Sequence, residues 1–415
     1  MASFLIKDVR IFDGENTIEK GSVLVENGQI SKVSSSAIDF EGPTYSRPGH
    51  TLLPGLIDTH IHANSANVVA LPQALGFGVT TVCDMHNEWY NILKLRKQRE
   101  GGDCADLKTT SFAATIDMGW PMPIVLMTHD SPETREEIAT WPKLKTPEDG
   151  RQYIQDRLKE GVDYIKLMHE SGTVMGHEFN KPSVELQKAV IDEAHKHGLT
   201  VVAHATCLAD TLEILEAGVD GMTHTFIDQP PTPALIEAYK KNNAHCNPTL
   251  AAMGSGTTEG KATQEKFAHD PRVQHLIAKN ERDQMCKCMS FAQSKGATCE
   301  NAYESVRQLR KAGVPVIIGS DSAGPAVGTA YGLSTHQEMT LFVEQCGFTP
   351  EEALKAATSL PAERFKFSDR GHIKEGLRAD LLLVEGNPLE NIDHTMDLRG
   401  VWTEGQLCSV YKDKF

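Results

Sequence analysis

The sequence has 415 residues, with 41 Lys and Arg against 56 Asp and Glu, a formal net charge of −15. That length exceeds a single ordinary core, since cores stop growing near about 250–300 residues. One large barrel or doubly wound domain with an appendage fits, as do two medium domains. A content of 40% hydrophobic and 23% charged residues argues against bulk disorder. The acidic balance argues against a dedicated nucleic-acid or anionic-membrane surface, because such partners select a basic face.

The first fifty residues read as short strands joined by tight turns. FLIKDVRIF and SVLVENGQISKV are rich in β-branched and apolar residues, and Asp13-Gly14 and Asn27-Gly28 supply hairpin turns. From about Leu52 short apolar runs alternate with longer amphipathic stretches. Strands are predicted to begin near Leu56, Val79, Thr110, Val162, Leu199, Val219, Ala244 and Val314, with one long helical stretch over 284–312. Three intervening helices end in glycine directly before a strand (HKHGLT, LEAGVD and RKAGVP), as the C-cap of a βα unit does. Eight such units predict a (β/α)₈ TIM barrel, with a doubly wound sheet as the rival that periodicity alone leaves open. After residue 370 short strands return in ADLLLVEG and VWTEGQLCSVY. Residues 1–54 and 366–415 are therefore expected to form one small β-sandwich domain around a barrel over 55–365. Residues 117–147 and 251–275 read as long loops, candidate lids over a site.

Nine cysteines, an odd number, are scattered with no Cys-x-x-Cys, which fits a reducing, cytoplasmic setting. The apolar N-terminal stretch is too short for a signal peptide. No run approaches the ~18 apolar residues of a membrane helix.

The chemistry starts in GLIDTHIH. His60 and His62 stand two apart on a predicted strand, so both imidazoles point the same way. Alone, the pair is as easily two unrelated histidines as two ligands. VVAHAT, however, ends the fifth strand with His204, GMTHT the sixth with His224, and VIIGSD the eighth with Asp321. In a barrel these four imidazoles and one carboxylate converge on the C-terminal mouth, where barrel enzymes build their sites. Neutral imidazole and carboxylate suit zinc and other first-row divalent ions. Lys166 holds the matching place on the fourth strand, DYIKLM. A lysine there could face solvent, bind a substrate anion, or carry a carbamate that bridges two metals.

Over roughly residues 3–395 the chain resembles the metal-dependent amidohydrolase superfamily. The likeness lies in IKDVRIFDG and VLVENGQISKV, in LLPGLIDTHIH, and in GHIKEGLRADLLLVEGNPLENI. FGVTTVCDM, DYIKLMHESGTVMG and HQEMTLFVEQCGFTPEEALKAAT are similar to the binuclear prolidase-like and ochratoxinase-like amidase branch. A likeness to imidazolonepropionase-related members accompanies it. The resemblance implies two divalent ions, zinc by default. It assigns His60, His62 and Asp321 to the more buried ion, His204 and His224 to the more exposed one, and carbamylated Lys166 to the bridge. It further implies cleavage of a C–N amide bond in an N-acyl amino acid, dipeptide or similar small amide. A bridging hydroxide would attack, with Asp321 as general base and then acid. The implied partner is thus a small molecule, neither nucleic acid nor membrane, and barrels of this kind commonly form homo-oligomers.

Three alternatives stay open at this stage. One is hydrolysis of a cyclic amide or lactone, one a mononuclear deaminase of the same superfamily, and one a non-catalytic assembly protein on the same barrel. The deaminase is disfavoured because HATCLAD has no Glu after His204, and the complete ligand set disfavours the assembly protein. His129, His169, Glu170 and Tyr331 are candidates for facing substrate, with Tyr331 in a glycine-rich loop after Asp321. His195 and His197 are expected to serve a helix C-terminus. Trp89, Trp120 and Trp141 are expected to serve packing. Cys286 and Cys288 lack further ligands for a zinc site.

Overall fold

The computed structural model describes residues 3–324 and 326–414. Strands from both parts of the sequence that flank the βα units build one eight-stranded sheet. Its first half is β1 (Phe4–Phe12), β2 (Thr17–Glu26), β3 (Gln29–Ser34), β4 (Thr44–Ser46) and β5 (His50–Pro54). Asn27 and Gly28 turn the β2–β3 hairpin with φ of 53° and 82°, the paired left-handed conformation that a two-residue hairpin demands. Between the two halves run β6 (Leu56–His62), β7 (Val79–Asp84), β8 (Asp106–Thr109), β9 (Ile165–Met168), β10 (Val201–His204), β11 (Gly221–Thr223), β12 (His245–Asn247) and β13 (Ser322–Ala323). β14 (Leu381–Glu385), β15 (Leu398–Thr403) and β16 (Gln406–Leu407) complete the flanking sheet. Its strand order is β16-β15-β14-β5-β1-β2-β3, with β4 also beside β1. The two ends of the sequence thus pair directly, Leu52 opposite Leu383, in one continuous mixed sheet.

Side-chain alternation explains why ADLLLVEG is apolar throughout. Leu381 and Leu383 face a core of Ile6, Ile11, Val23 and Trp402 within the flanking sheet. Leu382 and Val384 point the other way, into the main core under the helices.

The remaining strands form two parallel sheets, β12-β11-β10-β9 and β13-β6-β7-β8. Isolated parallel bridges pair Ala114, past the end of β8, with Leu167 of β9, and Val316, ahead of β13, with Cys246 of β12. The result is a TIM-barrel-type α/β architecture with helices packed outside. Gly198, Gly218 and Gly313 end three of those helices with left-handed φ, as HKHGLT, LEAGVD and RKAGVP predict. Strand phase decides what enters the interior. Ile165, Leu167, Val201 and Ala203 pack into the outer core. Val202 belongs to an inner cluster with Cys83, Tyr164 and Ile317, and its register partner on β9 is Lys166. Lys166 therefore points inward, and at 1% exposure the solvent-facing alternative is excluded.

Four details depart from the sequence reading, the first being that the run from Val314 to Asp321 makes only a bridge at Val316, with strand β13 at Ser322–Ala323 just after Asp321. The predicted helix over 284–312 is two helices, Lys279–Met285 and Cys299–Lys311, separated by non-helical chain in which Gly296 turns with φ of 94° before Thr298 caps the second start. Residues 117–147 fold into helices Met122–Thr128 and Pro132–Ala139, and 251–275 lie largely in Leu250–Thr257 and Lys261–Ala268. The third strand lies just before Thr110, at Asp106–Thr109.

Arg370 joins the flanking segment to the β7 and β8 strands. It is 4% exposed and donates to Asp106 at 2.6 Å and Thr81 at 2.8 Å. Arg99 and Arg378 also face Asp106, at 2.8 and 3.5 Å, so the carboxylate keeps part of its compensation without Arg370. Arg370→Ala is expected to lower the unfolding free energy by about 3 kcal/mol in urea titration, the lower end for breaking a buried ion pair.

Candidate metal centre

His60 and His62 end β6, and their Nε2 atoms lie 3.3 Å apart. Asp321 Oδ1 completes a triangle, 3.3 Å from His60 Nε2 and 3.4 Å from His62 Nε2. Its amide donates to the His60 carbonyl at 2.8 Å, and its φ of 53° bends the chain back over β6. His224, just past β11, brings a further ring nitrogen within 4.8 Å of the His60 and Asp321 ligand atoms. Its Nδ1 is engaged by Thr249 Oγ1 at 2.7 Å, which leaves Nε2 for an ion. His204 ends β10 with its ring 4.7 Å from that of His224, and Glu170 takes its Nε2 at 3.2 Å, leaving Nδ1. Lys166 donates from within β9 to Thr223 Oγ1. All six expected metal-site residues thus converge on one end of the parallel strands.

Desolvation sets their protonation. Burial, followed by the Lys166 charge, holds His62 down at about 3 and His60 well below the usual histidine range. Burial likewise lowers His224 and His204. It draws Lys166 toward the neutral amine and raises Asp321 above the ordinary carboxylate range. The imidazoles are therefore neutral, with lone pairs free for a cation. Two nitrogens and a carboxylate oxygen in van der Waals contact form a donor set that a first-row divalent ion fits.

Other residues support this set, and several escaped the sequence reading. Asp58, fully buried, accepts from the amides of His60 and Ser320 at 3.1 and 3.0 Å and from the hydroxyls of Ser320 and Thr335 at 2.6 and 2.8 Å. It thereby ties β6 to the segment carrying Asp321. Glu170, expected to face substrate, instead accepts from Thr206 N and Oγ1 at 3.1 and 2.7 Å while holding His204. Trp120, expected to serve packing, stacks on His204 with ring centroids 4.9 Å apart at 19°. Trp141 donates to Glu88 at 2.7 Å and meets the His86 ring edge-on, whereas Trp89 lies under Arg96.

The softer candidates divide. Tyr331 is 4% exposed, and its hydroxyl donates to the His62 carbonyl and accepts from Gly324 N, both at 2.7 Å. It fastens the loop after Asp321 to the end of β6 and has no hydroxyl proton left for a ligand. His169 is buried beside Glu213 at 3.3 Å, in a cluster with Asp210 and Lys181. His129 is exposed at a helix end, bonded to Thr128. His195 pairs with Asp220 at 2.8 Å near its helix C-terminus. Tyr331→Phe is expected to fold normally but to weaken ion binding about 10-fold, the lower end for an outer-shell partner, as measured by competition with a chromogenic chelator.

Comparison with known proteins follows the same line. Residues 51–408 match the Amidohydrolase family. Ochratoxinase from Aspergillus niger is 26% identical over 273 residues, 63% of this chain and 49% of that protein. Imidazolonepropionase from Deinococcus deserti is 34% identical over 102 residues, 24% of this chain and 25% of that protein. The chain thus spans half or less of the length of these curated relatives. A solved Xaa-Pro dipeptidase with bound methionine superposes with a TM-score of 0.75 at 20% identity, covering 98% of this chain and 99% of that one. With most of its length matching the family description, from before His60 to beyond Asp321, the chain belongs to the amidohydrolase family.

Proposed function

We propose that this protein is a binuclear metal-dependent hydrolase that cleaves a C–N amide bond in a small molecule such as an N-acyl amino acid or dipeptide. The observation that carries the reading is the convergence of four neutral imidazoles, a buried Lys166 and Asp321 on one end of the parallel strands. Behind this lies our reading of the two linked sheets as one closed (β/α)₈ barrel, supported by the bridges at Ala114–Leu167 and Cys246–Val316. The flanking sheet we take as a separate small domain of residues 1–54 and 366–415 around that barrel.

His60, His62 and Asp321 would hold one ion, His204 and His224 the other, and Lys166 as its carbamate would lie between them. Two divalent ions, zinc by default, would supply Lewis acidity and a strong nucleophile at neutral pH. The chain's own groups do the rest. The buried amine of Lys166 is drawn toward its neutral form, the form that combines with carbon dioxide. Asp321, with its proton affinity raised by burial, takes a proton from the attacking water and returns it to the leaving nitrogen. An amide needs that second transfer because its nitrogen leaves poorly as an anion. Trp120, stacked on His204, covers one face of that ring. Ochratoxinase and a Xaa-Pro dipeptidase among the similar proteins support amide cleavage as the reaction class.

Purified protein is expected to hold near two ions per chain and to hydrolyse members of a panel of dipeptides and N-acyl amino acids. One ion per chain, with activity only on an aminated ring, would instead identify a deaminase. Lys166→Ala is expected to lose metal and activity together, by more than about 100-fold, with partial recovery in short carboxylates. Full metal occupancy without any such recovery would remove the carbamate from the reading. Because carbamylation needs the neutral amine, metal-free protein given zinc and bicarbonate is expected to regain activity faster at mildly alkaline than at mildly acidic pH. Asp321→Asn is expected to lower kcat by about 10²–10⁴-fold.

A further inference from the structure

Thr249 stands at the N-cap of the helix Leu250–Thr257. A threonine there ordinarily turns its hydroxyl onto the second or third amide of its own helix. Here it makes no such bond, and its Oγ1 lies 2.7 Å from His224 Nδ1. One of the two amides it could have capped, Ala251 N, is taken from outside together with Leu250 N at the first helical position. Glu338, on the helix Leu333–Cys346 and fully buried, accepts from Leu250 N at 2.7 Å through Oε1 and from Ala251 N at 2.8 Å through Oε2. Thr249 also has φ and ψ of 49°, a left-handed conformation that a β-branched residue adopts only when its surroundings impose it.

We propose, on the binuclear reading above, that Glu338 is a positioning residue for the His224 ligand: by capping the helix in place of Thr249, it frees the Thr249 hydroxyl to orient the His224 ring. A ring that offers Nε2 to an ion keeps its proton on Nδ1, and Thr249 Oγ1 accepts that proton's hydrogen bond. Outer-shell acceptors of this kind fix tautomer and ring angle and raise the basicity of the ligating nitrogen. The arrangement reaches across three segments, and neither Glu338 nor Thr249 is itself a ligand.

The test uses full-length protein loaded with zinc, with Thr249→Val, Thr249→Ser, Glu338→Gln and the Glu338→Gln/Thr249→Val pair. Zinc competition gives the affinity of each ion, and melting of the metal-free protein gives the stability. Thr249→Val and Glu338→Gln are each expected to weaken the ion at His204 and His224 by about 10–100-fold and to spare the other. Thr249→Ser is expected to match the wild type. The pair is expected to be no weaker than Thr249→Val alone, since both changes act through one bond. Wild-type affinity for both ions in Glu338→Gln, whatever its melting temperature, overturns the proposal, as does simple additivity in the pair. If Glu338→Gln does not fold, Glu338→Asp takes its place, with a carboxylate too short to reach both amides. A wild type that binds only one ion overturns the binuclear reading instead. A crystal structure of Glu338→Gln then decides the positioning role separately. Thr249 Oγ1 turned onto its own helix supports it, and an unchanged contact with His224 refutes it.

Discussion

The dry interior around β6, β9, β10 and β11 is the constraint on which the rest of the site depends. In water a histidine cluster beside a lysine would be partly protonated and mutually repelling. Within the strands, desolvation disfavours every charge, so the imidazoles of His60, His62, His204 and His224 keep their lone pairs. The same effect weakens the charge on Lys166 and raises the proton affinity of Asp321. The buried residues between the parallel strands, such as Val202 and Ile317, are therefore part of the site's electrostatics as well as of the fold.

Such a centre has to be held against its own tendency to relax. Asp321 and Thr249 sit in left-handed backbone, and His224 has a φ of 154°. Hydrogen bonds from buried neighbours hold the segments around Asp321 and His204. Asp58 ties His60 of β6 to Ser320, just before Asp321, Tyr331 pins the following loop, and Glu170 takes the far nitrogen of His204. Glu170 and Asp58, both buried, draw most of their hydrogen bonds from backbone amides and hydroxyls. Few of those bonds would be gained by a competing arrangement, so the strain is kept where ligands are needed.

How much of this was legible depended on whether the signal was local. The His60/His62 pair could be read because a strand has a period of two, and Lys166 because its phase matched its neighbours. The glycines ending three helices before strands were equally local. Asp58 stands in the same GLIDTHIH segment, yet its role was silent because its partners Ser320 and Thr335 lie far along the chain. Trp120 reads as packing in the sequence because its stack on His204 exists only once residues 117–147 fold into their two helices. Glu338 and Thr249 look like an ordinary helix glutamate and an ordinary cap, and only their exchange of roles makes them unusual. The predicted continuous helix over 284–312 fails over 286–298, where the chain leaves helix after Met285 and restarts at Cys299.

The flanking sheet has a consequence for how the protein comes into being. β5 is apolar on both faces, Leu52 toward one core and Leu53 toward the other, and its antiparallel partner is β14. During synthesis β1–β5 leave the ribosome long before β14 exists, so the edge of β5 waits unpaired while all the βα units are made. An open, two-sided apolar edge is a template for pairing with other chains, and pairings of such long sequence separation form slowly. That edge of β5 therefore stays open to pairing until β14 has been made.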